Sequence, residues 1–134
     1  VAERVRFLGQ LDHADIPALL AAGDVAVAPY PAILDFSFSP LKLYEYLAAG
    51  VPIVASDVGQ IREVLGPGSY GTLVTPGDVD ELAAAIDAVS RQPLLVRRAA
   101  AAGRAHTMRS HGWGDRATAI TVLIDEERSR ALAH

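Results

Sequence analysis

The chain has 134 residues, of which 51% are hydrophobic, and its 12 Lys and Arg against 16 Asp and Glu give a formal net charge of −4. This length and composition allow one domain with a buried core, and the absence of cysteine excludes disulfides, thiolate metal clusters and cysteine nucleophiles. The acidic balance also argues against a nucleic-acid-binding protein, because such a protein needs a basic face to neutralise phosphates.

Short apolar segments alternate with Ala- and Leu-rich segments along the chain. The predicted strands are residues 5–8, 25–28, 53–55 and 72–74. The predicted helices are 16–22, 40–49, 60–65 and 78–91, one from Pro93, and one over 115–132. Continuously apolar strands between helices predict an α/β fold with a Rossmann-like, mainly parallel sheet and flanking helices. In such sheets ligands bind beyond the carboxyl ends of the strands, at helix N-termini.

The helix that follows the second predicted strand carries the most informative pattern. Ser39 is its predicted N-cap and Pro40 its first residue. Lys42, the only lysine, falls in the first turn, where the helix dipole and the amides favour a bound anion such as a diphosphate. Glu45 follows three residues later, and its carboxylate can accept two hydrogen bonds from a vicinal diol such as a ribose. Taken alone, these residues fit an ordinary helix start with a solvated ion pair better than a ligand site.

A resemblance to a known family favours the ligand site over the ordinary helix start. The string from Ser39 to Ser56, SPLKLYEYLAAGVPIVAS, closely resembles the donor-site motif of retaining GT-B glycosyltransferases of family 4 (group 1). The rest of the chain resembles further segments of that family in the same order, namely residues 5–9, 18–29, 59–64 and 71–78, and Trp113. The resemblance therefore covers essentially the whole chain.

The resemblance implies transfer of a sugar from a nucleotide-diphosphate-sugar donor, with retention at the anomeric carbon. Glu45 matches the glutamate that binds the ribose, amides from Phe38 to Leu41 match those that approach the diphosphate and donor sugar, and Lys42 matches a motif lysine. The predicted donor-binding residues are therefore Phe38, Ser39, Pro40, Leu41, Lys42 and Glu45. The resemblance implies no cofactor and no metal.

One position departs from the family pattern. Many members carry a first glutamate eight residues before the second, and here that position is Ser37, with Asp35 nearby. A hydroxyl can bind a sugar, but it lacks the charge that would stabilise an oxocarbenium ion. The catalytic residue is therefore left unassigned, and a non-catalytic nucleotide-binding or assembly module remains the alternative function.

The resemblance also makes residues 1–134 a single partial donor domain, the C-terminal part of a larger enzyme. The family's donor domain begins with two further β-α units, which carry a basic pair that clamps the diphosphate, and an acceptor-binding N-terminal domain precedes them. We therefore expect the isolated chain to be inactive and prone to oligomerise. We expect a cytoplasmic enzyme without nucleic-acid partners. No apolar run is long enough for a transmembrane helix. The resemblance still allows peripheral membrane contact through the family's N-terminal part.

Two other patterns have simpler interpretations. Residues 66–71 read Gly-x-Gly-x-x-Gly, but they follow a helix and enter a strand, so a turn is predicted and not a dinucleotide-binding loop. The histidines lack metal-ligand spacing, and His106 and His111 are predicted to lie at a helix end near Trp113.

Overall fold

The computed structural model describes residues 2–32, 39–66 and 68–132. After a 3-10 turn at Ala2–Arg4, these residues form three strands and six helices. In chain order they are α1 (Ile16–Ala21), β1 (Ala26–Ala28), α2 (Leu41–Ala49), β2 (Ile53–Ser56), α3 (Ile61–Val64), β3 (Thr72–Val74), α4 (Val79–Arg91), α5 (Pro93–Ser110) and α6 (Trp113–Leu132). From α1 onward the order of helices and strands is the one predicted.

The three strands form a parallel sheet in the order β1-β2-β3. Ala26 pairs with Ile53 and Val54 pairs with Thr72. All four residues of β2 are buried, because this strand has a partner on each side and helices over both faces. Continuous apolar sequence is what such a central strand requires.

The predicted strand at residues 5–8 is wrong. These residues are neither helix nor strand, and Phe7 is 92% exposed. A strand needs a backbone partner, and no described segment pairs with residues 5–8. In a doubly wound sheet of order 3-2-1-4-5-6, residues 5–8 would be strand 3 and β1 would be strand 4. Strands 2 and 1 would lie between them, so β1 could not supply that partner.

The start of α2 lies one residue later than predicted. Pro40, and not Ser39, occupies the cap position, and no side chain caps this helix. The carbonyl of Pro40 accepts the amides of Leu43 at 2.9 Å and Tyr44 at 3.4 Å, which tightens the first turn. Gly50 ends the helix as predicted, in the left-handed conformation with φ 72°.

Helix α4 begins with half of a capping box. The carboxylate of Asp78 accepts the amide of Glu81 at 2.8 Å, as an N-cap should. The carboxylate of Glu81 instead accepts the amide of Thr75 at 2.7 Å. This bond ties α4 to the residue directly after β3.

The Gly-x-Gly-x-x-Gly string is a turn between α3 and β3, as predicted. Gly66 and Gly68 adopt φ values of 55° and 86°, which favour glycine. The amide of Tyr70 donates to the carbonyl of Leu65 at 3.1 Å, closing the turn directly after α3. The glycines therefore serve chain reversal and not a phosphate.

Helix α5 packs against α2 more extensively than any other pair of described elements. Thr107, only 6% exposed, lies on the packed side of α5, and its hydroxyl has no hydrogen-bond partner among the described residues. Valine has the same shape without the polar group. We expect Thr107→Val to raise the free energy of unfolding by about 1 kcal/mol, because a buried hydroxyl without a partner costs about 1–3 kcal/mol. Chemical denaturation measures this, and a loss of stability would show that the hydroxyl is satisfied in solution.

Candidate functional site

The carboxyl ends of the three strands are joined by hydrogen bonds to Tyr30. The Ser56 hydroxyl, buried at the end of β2, accepts the amide of Tyr30 at 2.9 Å and donates to its carbonyl at 3.1 Å. The same carbonyl accepts the amide of Gly77, beyond β3, at 3.1 Å. Tyr30 is thus fixed to the end of β2 and to the turn beyond β3, at the edge where parallel sheets bind ligands.

Lys42 lies on the Tyr30 side of α2. Its Nζ is 5.6 Å from the centroid of the Tyr30 ring, within cation–π range. The side chain is exposed in the first turn of the helix, as the sequence predicts. The hydrogen bonds with Ser56 and Gly77 hold the backbone of Tyr30 in place. They therefore also help to position the Tyr30 ring near the Lys42 ammonium group.

Glu45 lies on another flank of α2. It is exposed and lines a cavity of about 380 Å³ between α2, the end of α5 and the start of α6. The described residues that line the cavity are Leu41, Tyr44, Glu45, Ala48, Thr107, Met108, His111, Gly112, Trp113 and Arg116. Aromatic and apolar walls around a carboxylate and a guanidinium suit a ligand with a flat ring and polar edges.

The predicted donor-binding residues are therefore only partly brought together. Leu41 and Glu45 line the same cavity, and Lys42 is not among its described lining residues. Ser39 is exposed and Pro40 is buried. The predicted positions Asp35, Ser37 and Phe38 lie outside the described residues.

Two histidines at the end of α5 form an aromatic cluster with α2 and α6, and the sequence predicted only their place near Trp113. The His111 and His106 Nε2 atoms are 3.4 Å apart. The His111 ring lies 4.9 Å from the Tyr44 ring, and its Nδ1 is 3.1 Å from the Arg116 guanidinium. The His106 ring stacks on Tyr70 at 5.2 Å. Burial lowers the pKa of His111 below 6.5, and the charges of His106 and Arg116 lower it further.

Residues 2–32, 39–66 and 68–132 contain no group of three or more His, Asp or Glu side chains that could hold a metal ion. None of the helices described there is long and apolar enough to cross a bilayer.

The family of this chain follows from a comparison with models of known protein families. A family model described as "Glycosyl transferases group 1" matches residues 1–92, more than half of the chain. The chain belongs to this family.

Curated relatives in the family transfer sugars. The chain is 40% identical over 125 residues to a phosphatidyl-myo-inositol mannosyltransferase of Mycobacterium leprae, covering 93% of this chain and 32% of the relative. It is 34% identical over 134 residues to an MMP alpha-(1->4)-mannosyltransferase of Mycolicibacterium hassiacum, covering 99% and 32%. The chain thus spans about a third of the length of these glycosyltransferases.

Solved structures of the same type confirm the predicted fold class. Sucrose-phosphate synthase from Thermosynechococcus elongatus superimposes with a TM-score of 0.76 at 29% identity, over 98% of this chain and 31% of that one. Anabaena HepE, solved in complex with UDP, gives a TM-score of 0.68 at 29% identity, over 98% and 33%. The three parallel strands and their helices are therefore part of a GT-B glycosyltransferase fold.

Proposed function

We propose that these residues form part of the donor site of a retaining, metal-independent glycosyltransferase that uses a nucleotide-diphosphate sugar. The observation that carries the proposal is the exposed carboxylate of Glu45, in a cavity one turn after the start of the helix that follows β1. Mannosyltransferase relatives and the UDP complex of HepE support a nucleotide-sugar donor.

Each part of the donor has a complementary group in this proposal. Glu45 accepts hydrogen bonds from the two ribose hydroxyls, which are charge-assisted and therefore strong. The backbone N–H groups of Phe38, Ser39 and Leu41 donate to the diphosphate and the donor sugar, whereas Pro40 has no N–H to offer, and the dipole of α2 favours negative charge at this end of the helix. Lys42 adds a positive charge in the same turn. These groups neutralise the leaving diphosphate without a metal ion.

The proposal assigns no catalytic residue. Ser37 occupies the sequence position of the family's first glutamate, and Asp35 is two residues before it. Of the two, only the acidic side chain of Asp35 could place a negative charge near an oxocarbenium ion. Catalysis would then rest on holding the donor and stabilising the leaving group.

The proposal places these residues within a longer, cytoplasmic protein. Because the chain spans about a third of its relatives, we propose that the acceptor binds to an N-terminal domain, and that any membrane contact is made there. The isolated chain would then be inactive, and its uncovered surfaces would favour oligomers.

The test uses the complete protein that contains this sequence. We expect it to consume one donor, with GDP-mannose and UDP-glucose as the first probes, to proceed in excess EDTA, and to give a product whose anomeric configuration matches the donor by proton NMR. Inversion would contradict retention, and loss of activity in EDTA would contradict metal independence. Nucleotide binding without consumption of any donor would favour the non-catalytic module.

A further inference from the structure

The cluster at the end of α5 reaches the face of α2 that carries Glu45. The His111 ring packs on Tyr44, the residue next to Glu45, and both Tyr44 and Glu45 line the cavity of about 380 Å³ together with His111 and Arg116. No other histidine of the described chain packs on α2 in this way: His106 stacks on Tyr70, and His13 is exposed.

The His111 ring is held in place from both of its nitrogens. A guanidinium only donates hydrogen bonds, so the contact of Arg116 with Nδ1 requires that nitrogen to be an acceptor. The ring proton then lies on Nε2, which points at the Nε2 of His106. The backbone adds a third restraint, because the amide of His111 donates to the carbonyl of Thr107 at 2.9 Å.

We infer that His111 is a positioning residue for donor binding: its oriented ring supports Tyr44 and so fixes the face of α2 from which Glu45 reaches the ribose. The inference rests on the proposed function. His111 needs no contact with the donor for this role, and it acts through the position of α2.

Protonation would remove the support. A proton on Nδ1 turns that atom into a donor facing the Arg116 guanidinium, so the two groups repel. The other ionisable groups around the ring are His106 on α5, Tyr44 and Glu45 on α2, and Glu63 on α3. Glu63 lies in a second cavity that His106 and His111 also line. Because the folded pKa of His111 lies below 6.5, the neutral ring and its support are complete above pH 6.5 and are lost as the pH falls through that lowered pKa.

The experiment measures donor KM and kcat against pH in the complete protein. A sugar nucleotide is the right probe, since its diphosphate is a diester and lacks the second ionisation of a terminal phosphate at about pH 6. We expect the wild-type KM for the donor to rise as the pH falls below 6.5, with little change in kcat, as loss of ground-state binding predicts.

Two variants of His111 separate the effect of the ring's packing from the effect of its protonation. His111→Ala removes the ring, and we expect KM to rise about tenfold at every pH, the scale of a misplaced binding group. His111→Phe keeps a ring against Tyr44 but cannot titrate, so its KM should stay near the wild-type value and become independent of pH. His13→Phe, at an exposed site, should keep the wild-type pH profile.

The outcomes distinguish this inference from the proposed function. A wild-type acid rise in KM that persists in His111→Phe would overturn the positioning role, as would an unchanged KM in His111→Ala. Should His111→Ala fail to fold, the pH profile of His111→Phe still decides. If Glu45→Gln raises KM while the His111 variants leave it unchanged, only this inference fails. If Glu45→Gln also leaves KM unchanged, the ribose assignment fails and the positioning role fails with it.

Discussion

Glu45→Ala in the complete protein is expected to lower kcat/KM for the nucleotide-sugar donor by about 100-fold. Two hydrogen bonds from a ribose to a charged acceptor contribute about 1.5–3 kcal/mol each, and about 1.4 kcal/mol corresponds to a factor of ten. The exposed position of Glu45 places the estimate at the lower end, near 3 kcal/mol in total. Steady-state kinetics with the donor identified in the screen gives the ratio directly.

A donor lacking the ribose 2′-hydroxyl makes this test specific. The wild-type enzyme should lose activity with the deoxy donor, whereas Glu45→Ala should lose little more, because its partner is already gone. Glu126→Ala, an exposed glutamate on α6, is the matched control and should leave kcat/KM unchanged. Equal losses with the deoxy donor in wild type and Glu45→Ala would show that Glu45 does not bind that hydroxyl.

Gly103→Ala is expected to destabilise the fold, although alanine is the better helix former. A Cβ at this position would lie 2.6 Å from Leu47 Cδ2 and 3.0 Å from Tyr70 Cβ. Leu47 is 1% exposed, so it cannot relieve this contact by moving into solvent. Overpacking costs about 1–3 kcal/mol, and the gain in helix propensity offsets about 1 kcal/mol of it. We expect a net loss of up to about 2 kcal/mol in the free energy of unfolding, measured by chemical denaturation.

Gly114→Ala is the matched control, since Gly114 is also a helical glycine. A Cβ there would meet nothing within 4 Å. This variant should keep or slightly raise stability, because only the propensity change acts. If both variants change stability in the same direction, close packing of α5 on α2 is not what requires glycine at position 103.

Much of the architecture could be predicted because local signals and burial agree. Residues 53–55 are apolar and residues 72–74 combine a β-branched Thr with Leu and Val, and the structure has strands there, buried most deeply in β2. Asp78 caps α4 and Gly50 ends α2 for reasons readable from single residues. Residues 5–8, where a strand was expected, are also mostly apolar apart from Arg6, but composition does not show whether a partner strand lies beside them.

The site was less predictable because it depends on contacts between distant segments. Lys42 and Glu45 are three residues apart, yet one rests by Tyr30 and the other faces the end of α5. The contact between Tyr44 and His111 depends on where α5 crosses α2, and no local pattern specifies that crossing. Spacing within one helix shows which face a residue occupies, but not what lies opposite.

The paired hydrogen bonds between Ser56 and Tyr30 have a consequence for folding. Apart from Ser56, strands β1 and β2 are built from the apolar residues Ala, Val and Ile, and a slip of two residues would still match apolar side chains against each other. Such a slip would separate Ser56 from Tyr30 and leave a buried hydroxyl without its two bonds, a loss of about 1–3 kcal/mol. Ser56, the one polar side chain of β2, therefore disfavours other registers of the two strands. It does so at the edge of the sheet where the proposed donor would bind.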